Sequence, residues 1–319
     1  MLLKFLGQGQ LPLIDSEVDR SYAISPSLGS SERNYHFVIE AFGKKYHLCR
    51  IGVADLHEMK RFLEHFDGKA GAFGIGGCDL GVRIGHNENM YYFHEVLKAC
   101  KRVKQTPYDD GYALKRIVEP TALSMASGLL GSDQRRCLIP VGSERWPLVI
   151  AAENLGLEVL LGDLPFALGF GKLISPKSLA KIAPMIMPIV GRLPFKWLYP
   201  TGEKQAKREP EKFGAMFDWA DIIAGDYHYI GKYAPARLEK KMIVTNTTTV
   251  RNRNSLFDTG VSAIVTTTPQ IAGRSPGTNA LWALLAVVIQ DSGRELNENN
   301  LRKVLDELKI APEIHLHHR

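Results

Sequence analysis

Five short apolar runs in the second half of the chain constrain the fold most: 137–141 (CLIPV), 157–161 (LEVLL), 221–224 (DIIA), Met242–Thr245 (MIVT) and 261–266 (VSAIVT). Each is bounded by glycine or polar residues, and helical segments over Trp146–Asn154, 235–240, 253–257 and 278–290 separate most of them. Apolar strands of this length need cover on both faces, and a chain that alternates them with helices provides it as a parallel sheet flanked by helices. The expected class is α/β, with a doubly wound, Rossmann-like C-terminal sheet. The first half alternates less regularly. It offers a strand over 22–27, a hairpin from 35–40 and 46–51, a helix that Asp55 caps, and a buried strand over 70–75. Phe93, Val96, Leu97, Cys100 and Val103 then follow helical spacing. A helix over 112–130, interrupted near Pro120, leads to Gly131. These patterns divide the chain into an N-terminal α/β substrate domain (1–131), a Rossmann-like nucleotide-binding domain (132–292) and a C-terminal helix (293–319). That last helix carries Leu301, Val304, Leu305 and Leu308 on one face and is expected to pack back on the first domain.

At 319 residues the chain exceeds a usual single domain, and 45% hydrophobic with 23% charged residues excludes disordered, collagen-like and coiled-coil classes. The first residues turn polar within ten positions and lack a small-residue cleavage site, which predicts a cytoplasmic protein. The four cysteines (Cys49, Cys78, Cys100, Cys137) have neither C-x-x-C spacing nor a zinc pattern, so reduced buried thiols and no metal are expected. The net charge of +6 is dispersed rather than striped with aromatics, which argues against nucleic acid. Between 164 and 202 there is no acidic residue, while Lys172, Lys177, Lys181, Arg192 and Lys196 are spread among apolar residues such as Met185, Ile186, Ile189 and Phe195. Pro184, Pro188 and Pro194 break this run, so it is not a transmembrane helix. It can form helices with a buried face, a lid or dimer surface, or a helix lying on a membrane.

The turn after the first run of the second half carries the main chemical signal. In dinucleotide folds a pyrophosphate sits on the amides of that turn, and an acid ending the next strand holds the ribose. Here the turn is Gly142, Ser143, Glu144 and Arg145, and Asp163 follows 21 residues after Gly142. The pattern predicts cofactor contacts by Gly142, Ser143, Arg145 as a phosphate clamp, and Asp163. The carboxylate would favour NAD over NADP. The G-x-G-x-x-G fingerprint itself is absent. Threonine-rich strand ends add Asn246, Thr247 and Thr266 on the cofactor side, and Arg274 with Asn279 on the substrate side. In the first half, Ser27 and Ser30 offer hydroxyls to a substrate. Lys115, its pKa lowered beside Asp110, is the expected proton-transfer group, and His228 next to Asp226 is a second candidate.

The segments SLGSSERNYH (27–36), TPYDDGYALK (106–115), GDLPFALG (162–169), LPFKWLYPTGEKQ (193–205), AGDYHYI (224–230), TNTTT (245–249) and TTTPQIAGRSPGTN (266–279) together resemble bacterial quinate/shikimate 5-dehydrogenase-like proteins. The resemblance spans about 25–290. It implies a two-domain enzyme with an N-terminal substrate domain, a C-terminal NAD(P) domain and hydride transfer at a ring hydroxyl. The partner implied is a small polyhydroxy acid, with a homodimer left open. A non-redox binding protein, regulator or transferase that uses the same crevice for another anionic metabolite is the alternative.

Overall fold

A computed structural model describes residues 2–11, 13–87, 89–195 and 209–317. The chain opens with β1 (Lys4–Gln8), β2 (Tyr22–Leu28), β3 (Tyr35–Ala41), β4 (Lys44–Val53), α1 (Leu56–Phe66) and β5 (Ala72–Gly74). The hairpin β6 (Gly81–Ile84) and β7 (Asn89–Tyr92), α2 (His94–Cys100), β8 (Tyr108–Asp109) and α3 (Tyr112–Ser127) follow. Five of these strands and β8 form a mixed sheet in the order β1-β3-β4-β2-β5-β8, with β4, β2, β5 and β8 parallel. Pro120 lies inside α3 without interrupting it. This departs from the break expected there.

The second half contains β9 (Arg136–Ile139), α4 (Trp146–Asn154), β10 (Glu158–Leu161), a π-helical turn at Asp163–Leu168, α5 (Pro176–Val190) and α6 (Pro210–Asp218). Then come β11 (Ile222–Ala224), α7 (Tyr227–Tyr233), β12 (Met242–Thr245), α8 (Val250–Phe257), β13 (Ala263–Thr266), α9 (Thr278–Asp291), α10 (Glu298–Glu307) and β14 (Glu313–Leu316). The sheet order is β10-β9-β11-β12-β13-β14, parallel throughout except for antiparallel β14. The protein is therefore a two-sheet α/β structure with a doubly wound parallel sheet. Because β10 lies on one side of β9 and β11 on the other, the connections diverge between β9 and β11. The crevice at such a point receives ligands in open α/β sheets.

Local chemistry explains where boundaries moved. The helix expected over 235–240 forms instead as α7, because the Asp226 side chain accepts the His228 N–H at its start. Strand β14 is half exposed and only four residues long, which leaves too little alternation to read from sequence.

Helix α9 decides how the sheets are covered. It is apolar on all sides, with Leu281 through Ile289 buried, so it needs neighbours all round. Although it follows β13 of the second sheet, it lies on β2, β4 and β5 of the first and shares a core with Ala23, Leu48 and Ala72. In turn, α3 leaves the first sheet and packs on α4 and the second sheet. Each sheet is thus covered by a helix that continues from the other. Leu301, Val304, Leu305 and Leu308 of α10 join the α9 core, and Leu2 N–H reaches Leu308 O. All four cysteines are buried and free. Among the described residues no helix is long and apolar enough to cross a membrane.

The approach of α9 to β5 leaves no room for a side chain at Gly74, where a Cβ would stand 2.2 Å from Asn279 O. Gly74→Ala should therefore lower stability by about 1–3 kcal/mol, the usual cost of overpacking. A reduced urea midpoint at unchanged m value measures it.

Candidate functional site

The carboxyl ends of the two parallel segments meet around the start of α3. Gly111 begins this helix at φ 85, and a Cβ there would lie 2.4 Å from Asn279 N, so only glycine admits both the turn and the α9 backbone. The preceding Asp110 accepts Tyr112 N–H at 3.0 Å and Leu80 N–H at 2.8 Å. It thereby ties the loop after β5 to the first turn of α3. That loop delivers Asp79, whose Oδ1 is 2.9 Å from Lys115 Nζ, and Lys115 also donates to Glu144 O at 3.4 Å.

One helical turn further, Glu119 is fully buried and pairs with Arg145 Nη1. Arg145, 6% exposed, gives its other terminal nitrogen to Asp226 Oδ2 at 2.8 Å. Tyr229 completes the cluster by donating to Glu144 Oε1 at 3.2 Å. The line Asp79, Lys115, Glu119, Arg145, Asp226 runs from the first sheet to the point where the second sheet's connections diverge.

The electrostatics assign different states to these groups. Burial opposes the Lys115 charge, but Asp79, Asp110 and Glu119 outweigh it and hold the pKa above the ordinary lysine value. The lysine therefore stays protonated, which corrects the lowered pKa expected from the sequence. Asp110 is likewise not its ion-pair partner. That place belongs to Asp79, which the sequence pattern did not single out although it follows the GIGG strand end where ligand groups gather. Asp109 has its carboxyl pushed up to about 7 by burial and by the neighbouring Asp110 charge, while Gly111 N–H works the other way. Burial lowers the His228 pKa below the usual histidine range despite Asp226, so the ring is neutral at pH 7.

Other expected site residues have structural partners. Asp163 accepts Gly142 N–H at 2.8 Å and Ser143 N–H at 2.9 Å, so its carboxylate caps the turn and is not presented to a ribose. Those amides are engaged in the same contact. Arg145 is no free phosphate clamp, because both terminal nitrogens hold carboxylates. His228 and Asp226 meet through the histidine backbone N–H, not as an imidazole–carboxylate pair. Thr266 Oγ1 lies 3.2 Å from His315 Nε2 of β14, and Thr247 is exposed at φ 55. Ser27 Oγ contacts Ser25 Oγ at 3.1 Å, and Ser30 caps Glu32 N–H at 3.1 Å. Arg274 stacks on Tyr35, and Asn279 Nδ2 donates to Ser25 Oγ at 2.8 Å and to Gly74 O at 3.2 Å. The PTGEKQ motif at 200–205 lies outside the described residues.

Among the described residues, six of the buried polar atoms without a hydrogen-bond partner lie toward the carboxyl edge of the second sheet: Glu119 Oε2, Arg145 Nε, Trp146 Nε1, Thr245 Oγ1, Asn246 Oδ1 and Thr267 Oγ1. Glu64 Oε1 of α1 lies apart from them. An unsatisfied buried polar group costs about 1–3 kcal/mol. Such a concentration marks a place that a polar ligand can complete. No group of metal-ligating side chains forms among the described residues.

The model of the domain of unknown function DUF8754 matches residues 113–316, and that of DUF8753 matches 23–110. The two matched segments meet at the start of α3. No curated protein matches the sequence. Solved structures similar to the chain include a dipicolinate synthase subunit from Bacillus halodurans, at 12% identity and TM-score 0.31 over 93% of this chain and 83% of that one. Hetero-hexameric glutamate dehydrogenase from Thermus thermophilus shares 13% identity over 82% of this chain and 64% of that chain, with TM-score 0.39. GanP, a glucose-galactose binding protein from Geobacillus stearothermophilus, shares 11% over 78% and 81%, with TM-score 0.30.

Two stability outcomes follow from the cluster. Arg145→Ala leaves Glu119 buried without its cation and should cost about 3–5 kcal/mol, whereas Arg145→Met combined with Glu119→Gln should recover most of it. Denaturant titration of the three proteins measures both. For Asp109, the raised folded-state pKa means that the native chain binds a proton between about pH 4 and 7 which the unfolded chain has released. Its stabilising contribution is present below pH 4 and is lost as pH rises to 7. Asp109→Asn should therefore raise the melting temperature relative to the parent at pH 8, with the difference shrinking toward pH 4.

Proposed function

We propose that this chain, which belongs to the family of the domain of unknown function DUF8754, is an enzyme that moves a proton on a small hydroxylated substrate held between its two sheets. The observation that carries this reading is the Lys115–Asp79 pair, 2.9 Å apart and withdrawn from solvent where the carboxyl ends of both sheets converge. Lys115, kept protonated by its carboxylate neighbours, donates a hydrogen bond to a substrate oxygen and stabilises negative charge developing there. Asp109 is the group that takes and returns the proton, because its carboxyl titrates near neutrality. Asp110 and Asp79 position these two. The unpartnered Thr245, Asn246 and Thr267 oxygens supply polar contacts on the second-sheet side.

A nicotinamide dinucleotide is the cofactor implied by the quinate/shikimate 5-dehydrogenase-like resemblance. The β9–α4 turn does not fit its pyrophosphate. Gly142 and Ser143 spend their amides on Asp163, Pro147 lacks an N–H in the first turn of α4, and the Glu144 carboxylate adds negative charge. The proton chemistry of Lys115 and Asp109 stands without that cofactor. An NAD(P)-dependent oxidoreductase remains the second reading, favoured by the Asp79 carboxylate beside Lys115, since loss of hydride from a secondary alcohol requires a group to take its hydroxyl proton.

Calorimetry separates the two. Polyhydroxylated carboxylates should bind the parent protein, and Lys115→Met should weaken that binding at least about tenfold, or ~1.4 kcal/mol, with an unchanged circular dichroism spectrum. NAD(H) and NADP(H) should show no saturable binding. Saturable dinucleotide binding would establish the oxidoreductase reading, and substrate binding indifferent to Lys115→Met would remove the lysine from the site.

A further inference from the structure

The segment without acidic residues presents an unusual outer face. On α5 the positions Lys177, Lys181, Met185 and Ile189 succeed one another at i, i+4 spacing and form one stripe along the helix. All four are exposed, Met185 by 77% and Ile189 by 65%. Pro184 and Pro188 flank the stripe and are exposed, and Ile186 borders it. The opposite face buries Leu179 and Ala183 against the body of the protein. The helix thus carries apolar residues on both sides, and among the described residues the inner side is the covered one. At its end Gly191 O accepts His94 N–H at 3.0 Å, which places the half-exposed Tyr92 of β7 beside the apolar end of the stripe. Exposed Lys172 and Arg192 bracket the helix.

We infer that the outer face of α5 is a docking surface for an anionic lipid bilayer, on which the helix lies with Met185, Ile189 and Tyr92 in the headgroup region and the lysines against lipid phosphates. The charge pattern selects this partner. An interfacial helix needs exposed apolar residues for the acyl boundary, cations for the anionic headgroups and no carboxylates to repel them. Each cation near an anionic surface adds to the attraction, which salt screens. Tyr92 has the amphipathic ring that suits the headgroup level. A second copy of the chain fits less well. A two-fold contact through this stripe would set Lys177 and Lys181 either against the same lysines, with the helices parallel, or against the apolar Met185 and Ile189, with them antiparallel, and no carboxylate in the segment offsets them in either case.

Cosedimentation of the full-length protein with extruded vesicles tests the assignment. The protein should pellet with phosphatidylcholine vesicles containing phosphatidylglycerol, release as salt rises, and remain in the supernatant with phosphatidylcholine alone. The double variants Met185→Glu/Ile189→Glu and Lys177→Glu/Lys181→Glu change only exposed positions. Each should weaken the partition coefficient at least about tenfold, with an unchanged circular dichroism melt. Absence of pelleting with the anionic vesicles, equal pelleting with neutral ones, or indifference to both variants would overturn it. So would light scattering that shows a dimer in the parent and a monomer in Met185→Glu/Ile189→Glu, since a second copy would then cover the face.

Discussion

The buried ion line through α3 is the constraint on which the rest of the structure depends. Lys115 and Glu119 stand one turn apart on a helix packed between the sheets, and each needs an opposite charge delivered from elsewhere in the chain. Asp79 comes from a loop of the first sheet, and Arg145, with Asp226 behind it, from the second. Taking such charges from water costs several kcal/mol per ion, and attraction offsets it only when the geometry is close and the remaining polar atoms are satisfied. The Lys115–Asp79, Glu119–Arg145 and Arg145–Asp226 pairs thus tie the two halves together through α3. The exchanged cover of α3 and α9 reinforces this, because neither sheet closes its core without a helix from the other half.

The turn between β9 and α4 shows how one carboxylate alters what a shared topology can bind. In a dinucleotide fold such a turn presents free amides to an anion. Here Asp163 supplies the anion from within the chain. The same spacing that suggests a ribose contact therefore produces a turn whose Gly142 and Ser143 amides are capped from within, while Thr245, Asn246 and Thr267 oxygens at the ends of β12 and β13 lack hydrogen-bond partners. The π-helical turn that begins at Asp163 leads through a short connection to α5, so the capped turn and the basic, apolar outer face are neighbours along the chain.

The α/β class, the parallel order of the second sheet and most of its helices were legible in the sequence, because short apolar runs and helical periodicity are local signals. Trp146–Asn154 and Met242–Thr245 match the structure residue for residue. The edge strand β14 and the hairpin β6–β7 were not, since strands of four residues are too short to show a distinct period. In the site, Lys115, Arg145, Asp163 and the threonine-rich strand ends could be picked out by residue type and position. Asp79 and Glu119 could not, because an acid in an apolar stretch has no meaning until its cation is placed.

The sequence by itself thus determined which segments are strands and helices, that the second sheet is parallel, and that one segment is basic and free of acids. Only the tertiary structure decided which charges pair, that Asp163 closes its own turn, that α9 covers the first sheet, and that Met185 and Ile189 face outward. Periodicity depends on neighbours a few residues away, whereas pairing and burial depend on groups that lie 26 positions apart, as Glu119 and Arg145 do, or 81, as Arg145 and Asp226 do. The folded packing alone sets those distances.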